Sequence, residues 1–373
     1  MKLTWDQVFA WRMRRQLLDR QVKDTGVAAV VRVLCGVQAQ VASCAELAVA
    51  ARQAKPIKGD LPKAVKDKKL IKTWAMRGTL HLLAPEDAPA YLSLLAATRA
   101  WEKPVWQRNF VTLKELEAIA EGVYTALDGK VLTREQLTEA VIEHTKDASI
   151  REDLTSGWGT VLKPLAFQGY LINGPSDGNR VTFTRPDTYL RGWKGLPHPA
   201  EAARVAIPAY LNSYGPASID VFNQWLYRGG LKMTHLKSWY ADLVDAGELI
   251  EVDVEGQSAY APAREVDKIA KVKPFDEVRL LPAFDQYILG PGTKDTQLIG
   301  ATRRKDISRA GGWISAVVVH QGRIAGTWEL KDDRLDVVLF KECGDVPKGE
   351  IEAEAERIAT FTGSTPEVQI RTG

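Results

Sequence analysis

The sequence predicts a mixed α+β fold, in which three tandem winged-helix units are followed by a small C-terminal β-barrel or meander domain. Two observations favour this fold. Over residues 1–275 one order of elements occurs three times: three amphipathic helices, and then a short β-hairpin that ends at a proline. From residue 276 onward, strand-like alternation and glycine-rich turns replace the helical pattern. We therefore expect domains at 1–105, 106–195, 196–275 and 276–373.

The first unit is predicted to contain helices over 4–18, 25–37 and 60–70, followed by a hairpin over 71–85. In the second unit, Thr133 followed by Gln136 is typical of a helix N-cap, because a threonine hydroxyl accepts from a backbone N–H of the first turn. The third helix and the hairpin of this unit are predicted within 159–186, with strands at 171–172 and 181–184 and GPSDGN as the turn.

The third unit shows the clearest helical spacing, since apolar residues recur every three or four positions at Leu236, Trp239, Tyr240, Leu243 and Val244. Ser218 is a predicted N-cap, and Glu255-Gly256 is the predicted hairpin turn. In the last domain we expect Gly322 and Asp332-Asp333 at hairpin tips, and a helix over 347–362.

The composition is that of an ordinary globular protein, with 45% apolar and 26% charged residues among 373. No run approaches the roughly 20 apolar residues of a membrane helix, and no signal peptide is recognised at the N-terminus. The three cysteines lack CxxC spacing and the five histidines are scattered, so we expect no disulfide, metal or cofactor. These features predict a cytoplasmic protein, and DNA binding would make it nucleoid-associated.

Charge is distributed unevenly along the chain, although the net charge is only +3. Residues 1–100 contain 17 Lys and Arg against 8 Asp and Glu, which is +9, so the rest of the chain is −6. Such asymmetry can attract a polyanion, although on charge alone a solvated lysine face, as in KDKK at 66–69, is the better explanation. The candidate DNA-binding residues are Lys66, Lys68, Lys69, Lys72 and Arg77, together with Arg303, Arg304 and Lys305.

Two glutamines stand out in the apolar segment CGVQAQVASC at 35–44. In a helix Gln38 and Gln40 would point in different directions, whereas in an extended segment both would lie on one face, about 7 Å apart. On one face they could hold a water or a base edge between them. The alternative is structural: the two amides satisfy buried backbone groups where two winged helices meet.

Three segments in this order resemble the AlkZ/YcaQ family of winged-helix DNA glycosylases: GVQAQ at 36–40, LIKTWAMRGTLHLLAPED at 70–87 and LLPAFDQYILG at 280–290. The resemblance extends over essentially the whole chain. It implies tandem winged helices around DNA, a C-terminal β-domain, and Gln38 and Gln40 as catalytic residues in the Gln–apolar–Gln form of the AlkZ branch. It also implies a monomer that acts on double-stranded DNA with alkylated purines, including bulky N7 adducts and cross-links, in self-resistance to DNA-alkylating natural products.

The chemistry of glutamine limits the reaction. An amide orients water but is not an effective general base, so a Gln pair suits a leaving group that is already activated. Alkylation at N7 makes a purine cationic, and its bond to the sugar then breaks without further protonation. The absence of a lysine beside the pair favours a monofunctional hydrolase.

Two other classes of protein fit the same pattern of elements. A transcriptional regulator would read an operator with its winged helices, usually as a dimer. A protein-interaction scaffold would bind no DNA at any salt concentration. The basic first unit disfavours the scaffold, and the Gln pair favours the glycosylase over the regulator.

Overall fold

The computed structural model describes residues 1–23, 25–331 and 333–373. Its helices are α1 Trp5–Arg15, α2 Val27–Val33, α3 Ala42–Ala50, α4 Asp60–Lys66, α5 Ala88–Ala96, α6 Pro104–Asn109, α7 Leu113–Ala126, α8 Arg134–Thr145, α9 Arg151–Thr155, α10 Leu162–Phe167, α11 Pro186–Tyr189, α12 Pro199–Tyr214, α13 Ile219–Tyr227, α14 Met233–Asp245, α15 Val266–Lys271, α16 Gln286–Leu289, α17 Arg304–Ile307 and α18 Lys348–Thr362.

The strands are short, and most are joined in hairpins. They are β1 Lys2–Leu3, β2 Val37–Gln38, β3 Ile71–Trp74, β4 Leu80–Leu83, β5 Leu132–Thr133, β6 Ile172–Asn173, β7 Thr182–Thr184, β8 Leu249–Val254, β9 Gln257–Pro262, β10 Val278–Leu281, β11 Ala316–His320, β12 Arg323–Lys331, β13 Arg334–Leu339 and β14 Glu367–Thr372.

The structure has two compact units, called unit 1 and unit 2 below, whose ranges differ from those of the three winged-helix units predicted from the sequence. Unit 1 comprises Met1–Leu61, Ile207–Trp225 and Tyr240–Gly373, and unit 2 comprises Pro62–Ala206 and Leu226–Trp239. None of the described helices is both long enough and apolar enough to cross a membrane.

The main sheet of unit 1 has the strand order β10-β11-β12-β13-β14. Strands β10 to β13 form an antiparallel meander, whereas β14 pairs in parallel with β13. A parallel neighbour requires a crossover connection, which α18 supplies. This helix buries Ile351, Ala355 and Ile358 against the sheet.

Helix α1 is buried on two faces in unit 1. Phe9 and Met13 pack into the core beneath the main sheet, and Val8 and Trp11 pack against the β8–β9 hairpin and α15. A capping box at Thr4 fixes where the helix begins. Strand β1, just before it, pairs in parallel with β8, with Lys2 opposite Asp253.

In unit 2 the strands pair in the order β4-β3-β6-β7-β5. The β3–β4 hairpin joins the β6–β7 hairpin through Lys72 opposite Asn173. The hairpin predicted over 71–85 and the hairpin predicted within 159–186 therefore share one sheet. Gly159 adopts a φ of 59° directly against the Trp74 ring, where any side chain would overlap the indole.

Helices and hairpins occur at the predicted places in all three repeated segments. Thr133 forms a capping box with Gln136, and Ser218 accepts a hydrogen bond from the Val221 N–H at 3.4 Å. The turn at Glu255-Gly256 has φ angles of 49° and 87°, as a tight hairpin turn requires.

The C-terminal segment differs from the sequence prediction at three places. Residues 296–308, predicted as strand-like, form turns and α17. Residues 286–289, predicted as strand-like, form α16, because Asp285 caps the Tyr287 N–H at 2.8 Å. Strand β14 was not predicted. Gly322 lies in the β11–β12 turn and Asp333 in the β12–β13 turn, and Asp332 lies outside the described residues.

Candidate functional site

The two glutamines lie between α2 and α3 in unit 1. Helix α2 ends at Val33, and Cys35 and Gly36 then adopt positive φ angles of 52° and 106°. These left-handed residues turn the chain into β2, which ends at Gln38. Glycine suits the second position because it has no Cβ to clash. The local sequence thus ends a helix, forms two residues of strand and starts α3 at Ala42.

Gln38 and Gln40 differ in exposure. The side chain of Gln38 is 6% exposed, whereas Gln40 lies in a bend after the strand and is exposed. Of the extended segment expected over Gln38 to Gln40, only Gln38 therefore belongs to a strand. Within the described chain, neither amide makes a side-chain hydrogen bond to another residue.

The residues before the glutamines are held by hydroxyl groups at the end of α12. The Ser213 hydroxyl donates to the Val33 carbonyl, and the Tyr214 hydroxyl donates to the Leu34 carbonyl. Burial raises the pKa of Tyr214 well above its ordinary value, so the hydroxyl keeps its proton and remains a donor. These two bonds fix the chain directly before the turn at Cys35 and Gly36.

The residues after the glutamines are held by a buried ion pair. Arg52 follows α3, is fully buried, and donates two 2.8 Å hydrogen bonds to the Asp285 carboxylate. The same guanidinium donates to the carbonyls of Gln16 at 3.0 Å and Ala48 at 2.6 Å. A buried guanidinium with a carboxylate partner and four hydrogen bonds holds the end of α3 in one position.

Segment 280–290 supports both flanks of the glutamines. Asp285 binds Arg52, and Gly290 leaves space for the Tyr214 ring, which a Cβ at this position would approach to 2.1 Å. This segment carries part of the family resemblance, but no pattern in the sequence predicted a role for Arg52, Asp285 or Tyr214. The available signal was a lone acidic residue within an apolar run, which in a core usually has a buried partner.

The predicted basic residues of the first hairpin lie in unit 2. Lys72 is on β3 and half-buried, and burial lowers its pKa. Arg77 occupies the β3–β4 turn with a φ of 60°. Lys66 and Lys69 are exposed. Lys68 donates to the Tyr189 carbonyl at 2.8 Å and lies over the Tyr189 ring, so it already has contacts within the protein.

The basic residues of the C-terminal segment have unequal environments. Arg303 binds both oxygens of Glu342, at 2.6 and 2.8 Å, and stacks on Phe340. This pairing lowers the pKa of Glu342 to about 2. Arg304 and Lys305 are exposed, and they start α17 rather than lying in an extended loop.

His81 is the buried titratable group of the first hairpin. Its ring is 0% exposed, Nδ1 lies 3.0 Å from the Thr79 carbonyl, and Nε2 has no hydrogen-bond partner among the described residues. Burial, and secondarily the Arg77 cation, lower its pKa to about 3. The imidazole is therefore neutral and donates from Nδ1 to the hairpin turn.

Acid should destabilise the protein through His81. The folded-state pKa lies below the ordinary 6.5, so stability is complete above pH 6.5 and is lost as the pH falls toward 3. The slope is at most about 1.4 kcal/mol per pH unit. Urea unfolding at pH 7 and pH 5 should show a loss that His81→Leu reduces and that the exposed-histidine control His235→Gln retains. Equal losses in His81→Leu and wild type would contradict this prediction.

Comparison with known proteins identifies the chain. A family model described as DNA glycosylase AlkZ-like matches residues 31–361. An interstrand DNA cross-link repair glycosylase of Streptomyces sahachiroi is 46% identical over 365 residues, which are 97% of this chain and 98% of the relative. The solved structure of S. sahachiroi DNA glycosylase AlkZ has a TM-score of 0.95 and 45% identity, with 100% of both chains covered.

These matches define a DNA glycosylase. The chain belongs to the AlkZ-like DNA glycosylase family, which confirms the resemblance noted in the sequence. The assignment decides against a non-enzymatic regulator and against an interaction scaffold.

Proposed function

We propose that this DNA glycosylase hydrolyses the N-glycosidic bond of cationic N7-alkylated purines in double-stranded DNA, and that Gln38 and Gln40 are its catalytic residues. The observation that carries the proposal is that the Gln38 and Gln40 amides make no hydrogen bond to other described residues. Both belong to a segment held at each flank by buried hydrogen bonds, yet neither is used for an internal hydrogen bond. A purely structural pair would bind backbone groups instead.

The chemistry follows from what an amide offers. Its carbonyl oxygen accepts a hydrogen bond and carries partial negative charge, which orients a water and stabilises an oxocarbenium-like sugar. It does not remove a proton effectively at neutral pH. A cationic purine leaves as a neutral base without an acid catalyst, so positioning and electrostatic support are sufficient.

Lesion charge should determine the substrate range. Duplex DNA with a single N7-methylguanine should release the free base and leave an abasic site. An otherwise identical duplex with uracil should release none, because uracil leaves as an anion and needs support that an amide pair does not supply. Quantifying released base from both duplexes under single-turnover conditions tests this. Uracil release at a comparable rate would exclude the mechanism proposed for the amide pair.

The proposal extends to bulky adducts and to interstrand cross-links. It is supported by the relative of 46% identity, whose name describes a cross-link repair glycosylase. Both purines of an N7-linked cross-link are cationic, so each bond to sugar is activated in the same way as in a monoadduct. A role in self-resistance to a DNA-alkylating natural product is part of this proposal, and loss of the gene should then sensitise its host to that compound.

We assign DNA binding to three winged helices over 1–105, 106–195 and 196–275, with a β-rich domain over 276–373, in a protein that acts as a monomer. The order of helices and hairpins supports these units. Among the predicted contacts, the exposed side chains of Lys66, Lys69, Arg304 and Lys305 and the hairpin residues Lys72 and Arg77 remain candidates. Lys68 and Arg303 are weaker candidates because their cations already contact protein groups.

A further inference from the structure

Two cations in unit 2, Lys163 and Arg228, have no ion-pair partner among the residues that the structure describes. Lys163 on α10 is half-buried, and Arg228, just after α13, is exposed. Within the described residues, neither side chain takes part in an ion pair or a hydrogen bond. The two are close enough that Arg228 adds to the effect of burial in lowering the pKa of Lys163. Two like charges placed together without a carboxylate are costly unless an anion joins them.

Two other cations of this unit that are largely buried, Arg134 and Arg185, have partners. Arg134 donates to the carbonyls of Leu154 and Ser156, at 3.2 and 3.0 Å. Arg185 binds the Asp187 carboxylate at 2.6 and 3.0 Å. Lys72 on β3 is likewise half-buried without such a partner, but burial alone lowers its pKa, whereas at Lys163 a second cation adds to the effect of burial. Ordinary burial of a lysine stem along an apolar surface does not account for the neighbouring arginine.

The first hairpin turn lies against Lys163 and against Tyr227, the residue that precedes Arg228. From the position where a Cβ would stand at Gly78, the Lys163 Cδ is 3.9 Å away and a Tyr227 ring carbon is 3.7 Å away. Gly78 has a φ of 72° and follows Arg77 in the turn. The Lys163 stem, the Tyr227 ring and the hairpin turn thus lie together although they are far apart in sequence, and Arg228 directly follows Tyr227.

An exposed aromatic ring precedes Lys163 by five residues in the chain. Trp158 is 71% exposed, and it stands between Gly157 and Gly159. The Gly159 carbonyl accepts a hydrogen bond from the Lys163 backbone N–H at 2.9 Å. Tryptophan is seldom this exposed without a partner, and an aromatic ring beside free cations is typical of nucleic-acid surfaces.

We propose that Lys163 and Arg228 bind a backbone phosphate of DNA, at a contact surface that includes Trp158. The inference depends on the chain binding DNA, and it does not depend on the lesion or the catalytic residues assigned above. The ligand chemistry is a phosphate anion, whose source is the DNA backbone rather than free phosphate.

Salt dependence of binding tests the proposal. The affinity of wild type, Lys163→Gln and Arg228→Gln for an intact duplex is measured at several salt concentrations. Each variant should bind more weakly, and its slope of log affinity against log salt should be smaller by about one. Trp158→Ala should bind about ten-fold more weakly with an unchanged slope, because stacking carries no charge. The matched control is Arg151→Gln, whose exposed cation is already paired with Glu139 and whose slope should equal that of wild type.

Two results would overturn the proposal. One is an unchanged slope in both Lys163→Gln and Arg228→Gln, with melting curves that show folded protein. The other is a site for free phosphate: inorganic phosphate would raise the melting temperature of wild type but not of Lys163→Gln, compared with chloride at equal ionic strength, while DNA slopes stay unchanged. The salt dependence of affinity is measured on undamaged DNA and the melting temperature without DNA. Both results therefore remain informative even if the enzyme releases no base from a lesion.

Discussion

Replacing Gln38 or Gln40 with alanine should lower the single-turnover rate of base release from N7-methylguanine DNA by about 10²- to 10³-fold, the usual effect of removing one preorganised group that stabilises a transition state. Duplex affinity should change far less, because an amide contributes little to a surface dominated by phosphate contacts. The rate of base release and the dissociation constant, measured on the same duplex, separate the two effects.

The control for this experiment is Gln369→Ala, which removes an exposed glutamine on β14. It should leave both rate and affinity unchanged. Equal losses of rate and affinity in Gln38→Ala and Gln40→Ala would show that the pair has a structural role. The double variant should lose little more than the worse single variant, since groups that act together on one transition state are not additive.

Asp285→Ala should destabilise unit 1 by about 3–5 kcal/mol, because it leaves the fully buried Arg52 guanidinium without its carboxylate. Urea denaturation monitored by tryptophan fluorescence should show an earlier transition. The double variant Arg52→Met/Asp285→Leu should recover much of the loss, since no unpaired charge remains in the core.

The exposed pair Arg303–Glu342 supplies the comparison. Glu342→Gln removes a carboxylate that binds an arginine just as closely, at 2.6 Å, but in contact with solvent. Its unfolding curve should resemble that of wild type, because solvent screens such pairs. If Asp285→Ala and Glu342→Gln gave similar curves, burial would not be the source of the Arg52–Asp285 contribution.

Local signals were sufficient to predict much of the fold. The Thr133–Gln136 cap and the Glu255-Gly256 turn depend only on neighbouring residues, and both occur as expected. Helix α16 was missed because IleLeu-rich segments fit a strand or a helix equally, and a single Asp285 cap decides between them. Strand β14 pairs in parallel through a crossover, which alternation within a strand does not encode.

The candidate site was predictable in part. Gln38 and Gln40 were identified from two polar residues in an apolar segment, but their different exposures depend on where β2 ends. The supports of this segment come from positions far along the chain, as Arg52 and Asp285 are 233 residues apart. No local spacing predicts such a pair. Lys163 and Arg228 were missed for the same reason, since neither belongs to a basic run.

The Arg52–Asp285 pair also has a consequence for synthesis on the ribosome. At about 5–20 residues per second, Asp285 is made roughly 12 to 47 seconds after Arg52, since 233 positions separate them. Strand β1 likewise cannot form its sheet pairing until β8 has been synthesised. The first sixty residues therefore emerge well before their partners exist, and the nascent chain must carry the apolar faces of α1 and α3 uncovered until translation has passed residue 285. The contacts that hold the glutamine segment are therefore among the last to form as this enzyme is synthesised and folds.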